Sequence, residues 1–288
     1  MYHLVIVCLL LWSCNDEPLE EVGNEMISTP SMKVSSFNIR FDNPSDGSNS
    51  WLNRRTEVLN FLLIEELDII GMQEVLNSQI EFLDENLPNY QRVGVGRGDG
   101  LQAGEYAPIY FDTNRFELLN SGNFWLSETP EVPSIGWDAV LNRICTYVHL
   151  MDTESNQEVY FYNTHFDHVG GTARLRSAAL IRDSIQTKMD QNVRVILTGD
   201  LNVVPGSSPY EVFDELMTDS FESDIKLGPS GTYNGFNLEG PHNRRIDFIF
   251  SKGFKPMTYE SVSTVVNNRF LSDHFPVISK IEYRPVNY

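Results

Sequence analysis

Two polar side chains follow an apolar segment near residue 200, and their spacing suits acid–base chemistry. The run 193–197 is β-branched and apolar, typical of a buried strand, and Thr198-Gly199-Asp200-Leu201-Asn202 follows it. On extended backbone, residues two apart project from one face, so Asp200 and Asn202 can meet at one reacting centre. A carboxylate can take a proton from water while an amide orients that water or holds a phosphate oxygen. Taken alone, the pattern also fits an Asx turn that caps the next helix.

Polar residues recur in the same way where other predicted strands begin or end. They are Asn38, Glu74, His165, Asp247, and Asp273 with His274. In layered α/β proteins such positions cluster on one rim, where functional sites form. Each has an ordinary alternative, since an Asp beside a His can be a structural hydrogen-bond pair and a carboxylate after a strand can cap a helix. Their recurrence favours a site.

The elements that would position these residues follow from the hydrophobic pattern. Apolar positions at helical spacing predict four helices, over 51–66, 78–87, 171–188 and 208–217. Apolar runs predict strands over 32–39, 67–72, 91–95, 107–112, 116–126, 143–150, 158–164, 192–198, 245–250, 259–266 and 276–283. We expect a mobile surface loop at 96–100 and a Pro-rich, aromatic rim of the site at 127–141. The alternation of strand and helix predicts a layered α/β architecture.

Composition bounds the size and the partners. With 288 residues, of which 41% are hydrophobic, the chain can bury a large core as one domain or two. The formal net charge of -19 argues against a basic surface that grips a long nucleic-acid backbone. An acidic protein that acts on phosphates needs metal ions and local Arg or His residues to offset the repulsion.

The amino-terminal segment predicts export. Residues 1–12 are apolar but too short to span a bilayer, and Leu11-Trp12-Ser13-Cys14 resembles a lipoprotein cleavage site with lipid on the sulfur of Cys14. A plain secretory signal or a fortuitous apolar start is the alternative. We therefore expect a signal segment at 1–14, a flexible acidic linker at 15–31 and a catalytic domain at 32–288. With Cys14 lipidated, Cys145 is the one unmodified cysteine of the mature chain.

Six ordered motifs resemble those of the endonuclease/exonuclease/phosphatase superfamily, which includes deoxyribonuclease-I-like nucleases, deadenylases, sphingomyelinases and inositol polyphosphate 5-phosphatases. They are Asn38, Gln73-Glu74, Asn163-Thr164-His165, Gly199-Asp200-Leu201-Asn202, Arg245-Ile246-Asp247-Phe248-Ile249 and Ser272-Asp273-His274-Phe275-Pro276-Val277. Asn38-Ile39-Arg40-Phe41-Asp42-Asn43-Pro44, Phe124-Trp125-Leu126-Ser127-Glu128-Thr129-Pro130 and Gly136-Trp137-Asp138-Ala139 resemble a bacterial branch without an established substrate. The resemblance implies an α/β (α+β) four-layer sandwich, in which two mixed β-sheets pack face to face between outer helices.

The resemblance also implies roles, which agree with the charge that develops during attack on a phosphate. Glu74, with Asn38 and Asp273, would hold Mg²⁺ or Mn²⁺, because hard cations prefer oxygen ligands. Asp200 would deprotonate the attacking water, and Asn202 would hold that water or a phosphate oxygen. These side chains would form one centre.

Positive donors complete the implied site. His274, oriented by Asp247, and His165 would donate to the phosphate. By similarity to the deoxyribonuclease-like members, Glu105 would pair with His165, and Arg143 would contact the phosphate. We expect a carboxylate beside each imidazole to raise the pKa of that histidine.

The resulting hypothesis is a secreted or lipid-anchored, metal-dependent phosphoesterase that cleaves a phosphodiester or phosphomonoester by in-line attack of water. Its substrate would be a phosphorylated small molecule, a phospholipid headgroup or a nucleic acid, and no obligate protein partner is expected. A nuclease and a catalytically silent binding module remain the alternatives. Four aromatic residues, Trp125, Trp137, Tyr233 and Phe236, could stack on a base or sugar, although core packing also explains such residues.

Overall fold

The computed structural model describes Met1, residues 29–189 and residues 193–284. Two β-sheets pack face to face, and helices cover the outer face of each. This is the four-layer sandwich that the resemblance implied. The predicted signal segment and most of the predicted linker lie outside the described residues. Within the described residues, no helix is long and apolar enough to cross a membrane.

The first sheet has seven strands in the order β10-β12-β15-β1-β2-β4-β3. β1 runs parallel to β2 and antiparallel to β15, so the sheet is mixed. The strands are β1 (Ser31–Asn38), β2 (Ile69–Gln73), β3 (Tyr90–Val93), β4 (Ile109–Asp112), β10 (Ile225–Leu227), β12 (Phe254–Ser261) and β15 (Val277–Tyr283).

The second sheet has six strands in the order β5-β6-β7-β8-β11-β9. It too is mixed, because β7 runs parallel to β8 whereas β8 and β11 are antiparallel. The strands are β5 (Phe116–Trp125), β6 (Ile144–Asp152), β7 (Gln157–His165), β8 (Arg194–Asp200), β9 (Thr218–Asp219) and β11 (Asp247–Lys252).

In the part of the chain that the structure describes, four α-helices form the outer layers, as the apolar pattern predicted. α1 (Trp51–Glu65) and α2 (Asn77–Asn86) cover the first sheet, and α3 (Gly171–Met189) and α4 (Ser208–Asp214) cover the second. α4 ends earlier than predicted, and the chain enters short strand β9 instead. Two short 3₁₀ helices, Pro44–Asn49 and Ser220–Glu222, were not predicted.

Among the described residues, one large hydrophobic cluster fills each of the three spaces between the layers, and a small fourth cluster contains Ala107, Trp125 and Ile144. On β8, for example, Ile196 faces the first sheet while Val195 and Leu197 face α3 and α4. Strands with both faces covered read as continuous apolar runs rather than alternating ones. This explains why the run 193–197 was recognisable as a buried strand.

A polar cluster joins the two sheets beneath the strand ends. The fully buried side chain of Asn163 on β7 donates to the carbonyls of Met72 and Pro108 at 2.6 and 2.9 Å. Its oxygen accepts hydrogen bonds from Gln73 Nε2 at 2.7 Å and Thr198 Oγ1 at 3.0 Å. Both N–H groups and both acceptor positions of the amide are therefore used, which offsets the free-energy cost of burying it. Because its partners lie on both sheets, the cluster also fixes the distance between the sheets.

Two predictions from the pattern need correction. The predicted strand 259–266 is split, because β12 ends at Ser261 and a separate hairpin of β13 (Val265–Val266) and β14 (Arg269–Phe270) follows. Asn267 and Asn268 turn this hairpin with φ of 52° and 58°, values that two-residue hairpin loops require. The loop at 96–100 is not wholly on the surface, since Gly96 and Arg97 are buried.

Candidate active site

The polar strand-end residues lie at one end of the sandwich. Asn38 ends β1, Glu74 follows β2, His165 ends β7 and Asp200 ends β8. Asp247 begins the antiparallel β11 directly opposite Asp200. His274 precedes β15, which is antiparallel to β1. The carboxyl ends of the parallel pairs and the amino ends of their antiparallel neighbours therefore share one rim.

Asn38 connects the two sheets at this rim. Its Nδ2 donates to Glu74 Oε1 and to Asp200 Oδ2, both at 3.0 Å. Its Oδ1 accepts the backbone N–H of Arg40 at 3.0 Å. Asn38 thus ties the carboxylate of one sheet to that of the other, and its role as a metal ligand remains a prediction.

Asp200 and His274 form a buried pair of an acid and a base, and the pKa of each is raised. Asp247 Oδ2 lies 2.9 Å from His274 Nδ1, and Asp200 Oδ2 lies 3.8 Å from His274 Nε2. Burial opposes protonation of His274, but the two carboxylates outweigh it and raise the pKa of the imidazole well above its usual range. Burial, together with the charge of Asp247, raises the pKa of Asp200 to about 7. The predicted orientation of His274 by Asp247 matches this geometry.

His165 differs from His274. Its Nε2 lies 3.2 Å from Asn202 Nδ2 and 3.5 Å from Asp200 Oδ2. Its Nδ1 lies 3.8 Å from Glu105 Oε2, too long for a hydrogen bond. Burial, and then the positive charge of Arg143, lower the pKa of His165 well below its usual range.

The expectation of a raised pKa at His165 is therefore wrong. The other carboxylate oxygen of Glu105, Oε1, accepts a hydrogen bond from Arg97 Nη2 at 2.8 Å. Arg97 was missed because its Gly-rich surroundings indicated a surface loop. A neutral His165 still donates a hydrogen bond through whichever ring nitrogen carries the proton.

Arg143 lies in the same cleft, and its contact with a phosphate remains a prediction. It is 3% exposed, and its Nε and Nη2 lie 3.4 Å from Asp167 Oδ2 and 3.1 Å from His168 Nδ1. Among the described residues, its buried Nη1 has no hydrogen-bond partner, which is costly for a buried donor.

The donor set fits a hard divalent cation. Single ligand atoms of Glu74, His165 and Asp200 lie within 4.8 Å of one another, as do those of Asp200, Asp247 and His274. Glu74 and Asp273 each approach the same nitrogen of Arg40, at 3.8 and 3.7 Å. Clustered carboxylate oxygens suit Mg²⁺ or Mn²⁺. That Glu74 and Asp273 would hold such an ion remains a prediction.

These residues line a cleft of about 490 Å³. Arg40, Phe41, His168 and Arg244 also line this cleft, and of these Arg40, Phe41 and Arg244 were not among the predicted site residues. Tyr233 is the one proposed stacking aromatic among the lining residues. Trp125 is instead buried, and its indole donates to the carbonyl of Arg97 at 2.8 Å. Leu141 lines the cleft, so the predicted rim at 127–141 reaches it.

The backbone is unusual at three site residues. Arg40, Glu74 and Asn202 have φ of 60°, 62° and 51°, the left-handed region that residues with a Cβ rarely adopt. Such conformations cost free energy and persist where surrounding contacts enforce them, often at functional sites. At Asn202 the backbone N–H donates to Asp200 Oδ1 at 3.0 Å. The carboxylate and the amide are thus held together by a tight local turn.

Comparison with known proteins agrees with this geometry. A model of the Endonuclease/Exonuclease/phosphatase family matches residues 35–274. The chain belongs to this family. Family members hydrolyse phosphoester bonds, and divalent metals are their usual cofactors.

Solved structures of the family resemble the whole described domain. An endonuclease/exonuclease/phosphatase from Bacteroides vulgatus is 38% identical with a TM-score of 0.84, over 88% of this chain and 100% of that one. A mannosyl-6-phosphatase from Bacteroides thetaiotaomicron is 36% identical with a TM-score of 0.84, over the same shares. An uncharacterized protein of Acanthamoeba polyphaga mimivirus is 27% identical over 86% of this chain and 98% of its own.

Proposed function

We propose that this family member is a divalent-metal-dependent phosphatase that hydrolyses a phosphate monoester of a small polyhydroxylated molecule, such as a sugar phosphate. The observation that carries the proposal is the convergence of Glu74, Asp200 and His274 in one cleft. The spacing of these groups suits a phosphate and an attacking water. A binding module without activity would not need a carboxylate with a pKa of about 7 between two imidazoles.

The proposed metal would be bound by Glu74 and Asp273. When bound, a divalent cation polarises a phosphate oxygen and neutralises charge that develops on it. Asn38 would keep Glu74 and Asp200 at a fixed separation through its two hydrogen bonds of 3.0 Å. The ion and the base would therefore act on the same phosphorus atom.

Asp200 would act as the general base. It is 1% exposed, and its pKa of about 7 makes it a better base than a solvated carboxylate. Asn202, whose Nδ2 donates to the carbonyl of Phe166 at 3.1 Å, would orient the water through its side-chain oxygen. The water would lose a proton to Asp200 as its oxygen attacks phosphorus in line with the leaving alcohol.

Positive groups on the other sides of the phosphate would stabilise the transition state. His274 keeps a proton because Asp247 and Asp200 raise its pKa, and its Nε2 points toward Asp200 and the cleft. Arg143, held in place by Asp167, is a second positive group in the lining of the cleft. Fixed donors aimed at developing charge are a major source of rate enhancement.

The choice of a small monoester rests on charge and on similarity. The net charge of -19 disfavours a long polyanion, whereas Arg40, Arg143 and Arg244 in one cleft of about 490 Å³ suit a compact dianion. The similarity to a mannosyl-6-phosphatase supports a sugar phosphate. A nuclease is the second candidate.

A substrate comparison tests this proposal. Mannose 6-phosphate, p-nitrophenyl phosphate, bis-p-nitrophenyl phosphate and a single-stranded oligonucleotide would each be assayed with Mg²⁺, Mn²⁺ and EDTA. We expect EDTA-sensitive release of phosphate, with the largest kcat/KM on the sugar phosphate. A largest kcat/KM on the oligonucleotide would indicate the nuclease, and no metal-dependent turnover on any of them would indicate the binding module.

We further propose that the protein acts outside the cytoplasm, anchored by lipid on Cys14. The apolar run 1–12 and the sequence Leu11-Trp12-Ser13-Cys14 support this. Labelling with a palmitate analogue in a bacterial host tests it. We expect label on the wild type and on Cys8→Ala but none on Cys14→Ala, and label retained by Cys14→Ala would contradict the anchor.

A further inference from the structure

Arg40 is a cleft residue whose conformation is enforced by its neighbours. Its φ of 60° lies in the left-handed region. The backbone carbonyl of Arg40 accepts hydrogen bonds from Gln79 Nε2 at 3.0 Å and Arg54 Nη2 at 3.3 Å. Arg54 is fully buried and also binds the carbonyls of Ile39 and Leu271. These contacts stabilise the strained backbone conformation and fix the position of the backbone from which the Arg40 side chain extends.

The guanidinium of Arg40 is held from its far side. Asp46 accepts hydrogen bonds from Nε at 3.0 Å and from Nη2 at 3.1 Å, a forked pair that fixes the plane of the group. The ring of Phe41 lies 4.5 Å from its central carbon. The 3₁₀ helix Pro44–Asn49 supplies Asp46. This pairing leaves only Nη1 unsatisfied by a close acceptor.

Nη1 is directed into the metal site. It lies 3.8 Å from Glu74 Oε2 and 3.7 Å from Asp273 Oδ2, close enough for attraction but longer than hydrogen bonds. Among the described residues, Nη1 makes no shorter contact with an acceptor. A permanent cation with free N–H groups therefore lies beside the two carboxylates that would bind the divalent ion.

We propose that Arg40 is a substrate-binding residue of this site: Nη1 holds a phosphate oxygen beside the metal, and the charge of Arg40 restricts Glu74 and Asp273 to one divalent cation. The proposal rests on the proposed function. A second divalent ion between the two carboxylates would have to approach the guanidinium, where like charges repel strongly at short distance. A phosphate monoester, with two negative charges, gains more from the extra cation than a diester does.

Direct binding measurements test the proposal without turnover. Calorimetric titration with Mg²⁺ should give one ion per wild-type chain. Arg40→Gln should bind Mg²⁺ about threefold more tightly, because a repelling charge is removed. At saturating Mg²⁺, the same variant should bind inorganic phosphate about tenfold more weakly, because a charge-assisted hydrogen bond is lost. Arg176→Gln, an equal charge change at an exposed position of α3 outside the cleft lining, should leave both affinities unchanged.

Several outcomes would overturn the role of Arg40. They are two Mg²⁺ ions per wild-type chain, unchanged phosphate affinity in Arg40→Gln, or weaker rather than tighter Mg²⁺ binding in that variant. Should Arg40→Gln fail to fold, the same measurements would be made on Arg40→Lys. A lysine cannot keep both hydrogen bonds to Asp46, so we expect this variant to bind phosphate about threefold more weakly. Unchanged phosphate affinity in Arg40→Lys would overturn the proposal. Failure of the proposed function would appear separately, as normal binding of both ligands without hydrolysis of any monoester.

Discussion

At the scale of single residues, the site contains two histidines whose surroundings shift their pKa values in opposite directions. His274 faces Asp247 at 2.9 Å, whereas His165 faces Arg143 and a carboxylate that Arg97 already neutralises. The pKa of His274 is raised and that of His165 is lowered. One histidine is therefore suited to stabilise a phosphate by charge, and the other to donate or accept as a neutral ring.

Asp247→Asn should move the basic limb of the pH–rate profile. In the proposed mechanism protonated His274 is the active form, so kcat/KM should fall as pH rises through the pKa of His274. Because Asp247 raises that pKa, its loss should shift the basic limb to lower pH and reduce kcat/KM at pH 8 by about 10²-fold or more. The measurement is kcat/KM on p-nitrophenyl phosphate from pH 5 to 10. An unchanged basic limb would show that His274 is not the group that titrates.

At this scale the sequence could predict the residue types and their positions at strand ends, but not every partner. Asp200 and Glu74 lie at the ends of recognisable strands and His274 lies just before one, and the structure brings the three together. Arg40, Arg97 and Arg244 lie in loops, where no period or spacing indicates direction. The lowered pKa of His165 depends on Arg97 and Arg143, which approach only in the folded protein.

At the scale of elements, close packing of β2 against β7 and β8 sets the site's floor. Gly71 on β2 lies opposite Asn163 and Thr198, and a Cβ there would overlap Thr198 Oγ1 and lie 2.7 Å from Asn163 Oδ1. The polar cluster of Asn163 therefore depends on the missing side chain. His165 and Asp200 end β7 and β8, and Glu74 follows β2. The distance between the two sheets therefore sets the distances between these three site residues.

Gly71→Ala should be strongly destabilising. The added methyl group must separate the sheets or break the hydrogen bonds of Asn163, at a cost of about 3 kcal/mol in the free energy of unfolding. Gly171→Ala is the matched control, since a Cβ there meets only the tip of Arg174 at 4.0 Å. Urea unfolding of both variants measures the difference. Equal stabilities would contradict the claim of close packing.

The opposite end of the sandwich contains a buried ion pair. Asp152 at the end of β6 accepts hydrogen bonds from Arg115 Nε at 3.0 Å, from Arg115 Nη2 at 2.8 Å and from Tyr283 of the other sheet at 2.6 Å. Burial alone would raise the pKa of Asp152, but these hydrogen bonds outweigh it and lower the pKa.

Asp152→Asn should lose stability in a pH-dependent manner. A carboxylate with a lowered folded-state pKa stabilises the protein above its unfolded pKa, and that stabilisation disappears as pH falls through the folded value. We expect a loss of about 2 kcal/mol at pH 7, because Asp68 still neutralises part of the charge of Arg115. The difference should shrink below about pH 4. Urea unfolding at pH 7 and pH 3.5 checks this, and a difference independent of pH would contradict it.

Element boundaries were predictable to within one residue where the apolar pattern was strong, as at α1, α3 and β15, whereas β8 begins and ends two residues later than predicted. The boundary predictions were wrong where pairing with strands distant in sequence, rather than the local apolar pattern, determines the element. β9 and β10 are two and three residues long and exist because they pair with β11 and β12. The hairpin turn at Asn267-Asn268 carried a readable signal in its residue types that the apolar run on either side obscured.

At the scale of the whole molecule, a strongly acidic chain brings three arginines together in one cleft. The chain has 40 acidic and 21 basic residues, yet Arg40, Arg143 and Arg244 all line one cavity. A small phosphate can reach these cations without approaching much of the acidic surface. A long polyanion cannot, because its charges beyond the cleft meet that surface.

This distribution predicts an unusual salt dependence for any residual action on nucleic acid. Activity on a 20-residue oligonucleotide should rise as NaCl increases from 20 to 200 mM, because salt screens the repulsion. Activity on a sugar monophosphate should change little over the same range. Initial rates at low substrate concentration measure both. A steep fall for the oligonucleotide would instead indicate a basic nucleic-acid surface.

The central claim is that Asp200 activates water for a metal-dependent attack on phosphorus. The most direct test is kcat for p-nitrophenyl phosphate with Mg²⁺ and with EDTA, for the wild type, for Asp200→Asn and for Asp183→Asn, an equal charge change at an exposed position of α3. We predict EDTA-sensitive turnover in the wild type and in Asp183→Asn, and a loss of about 10³-fold in a folded Asp200→Asn. Metal-dependent turnover of folded Asp200→Asn at the wild-type rate would contradict the account.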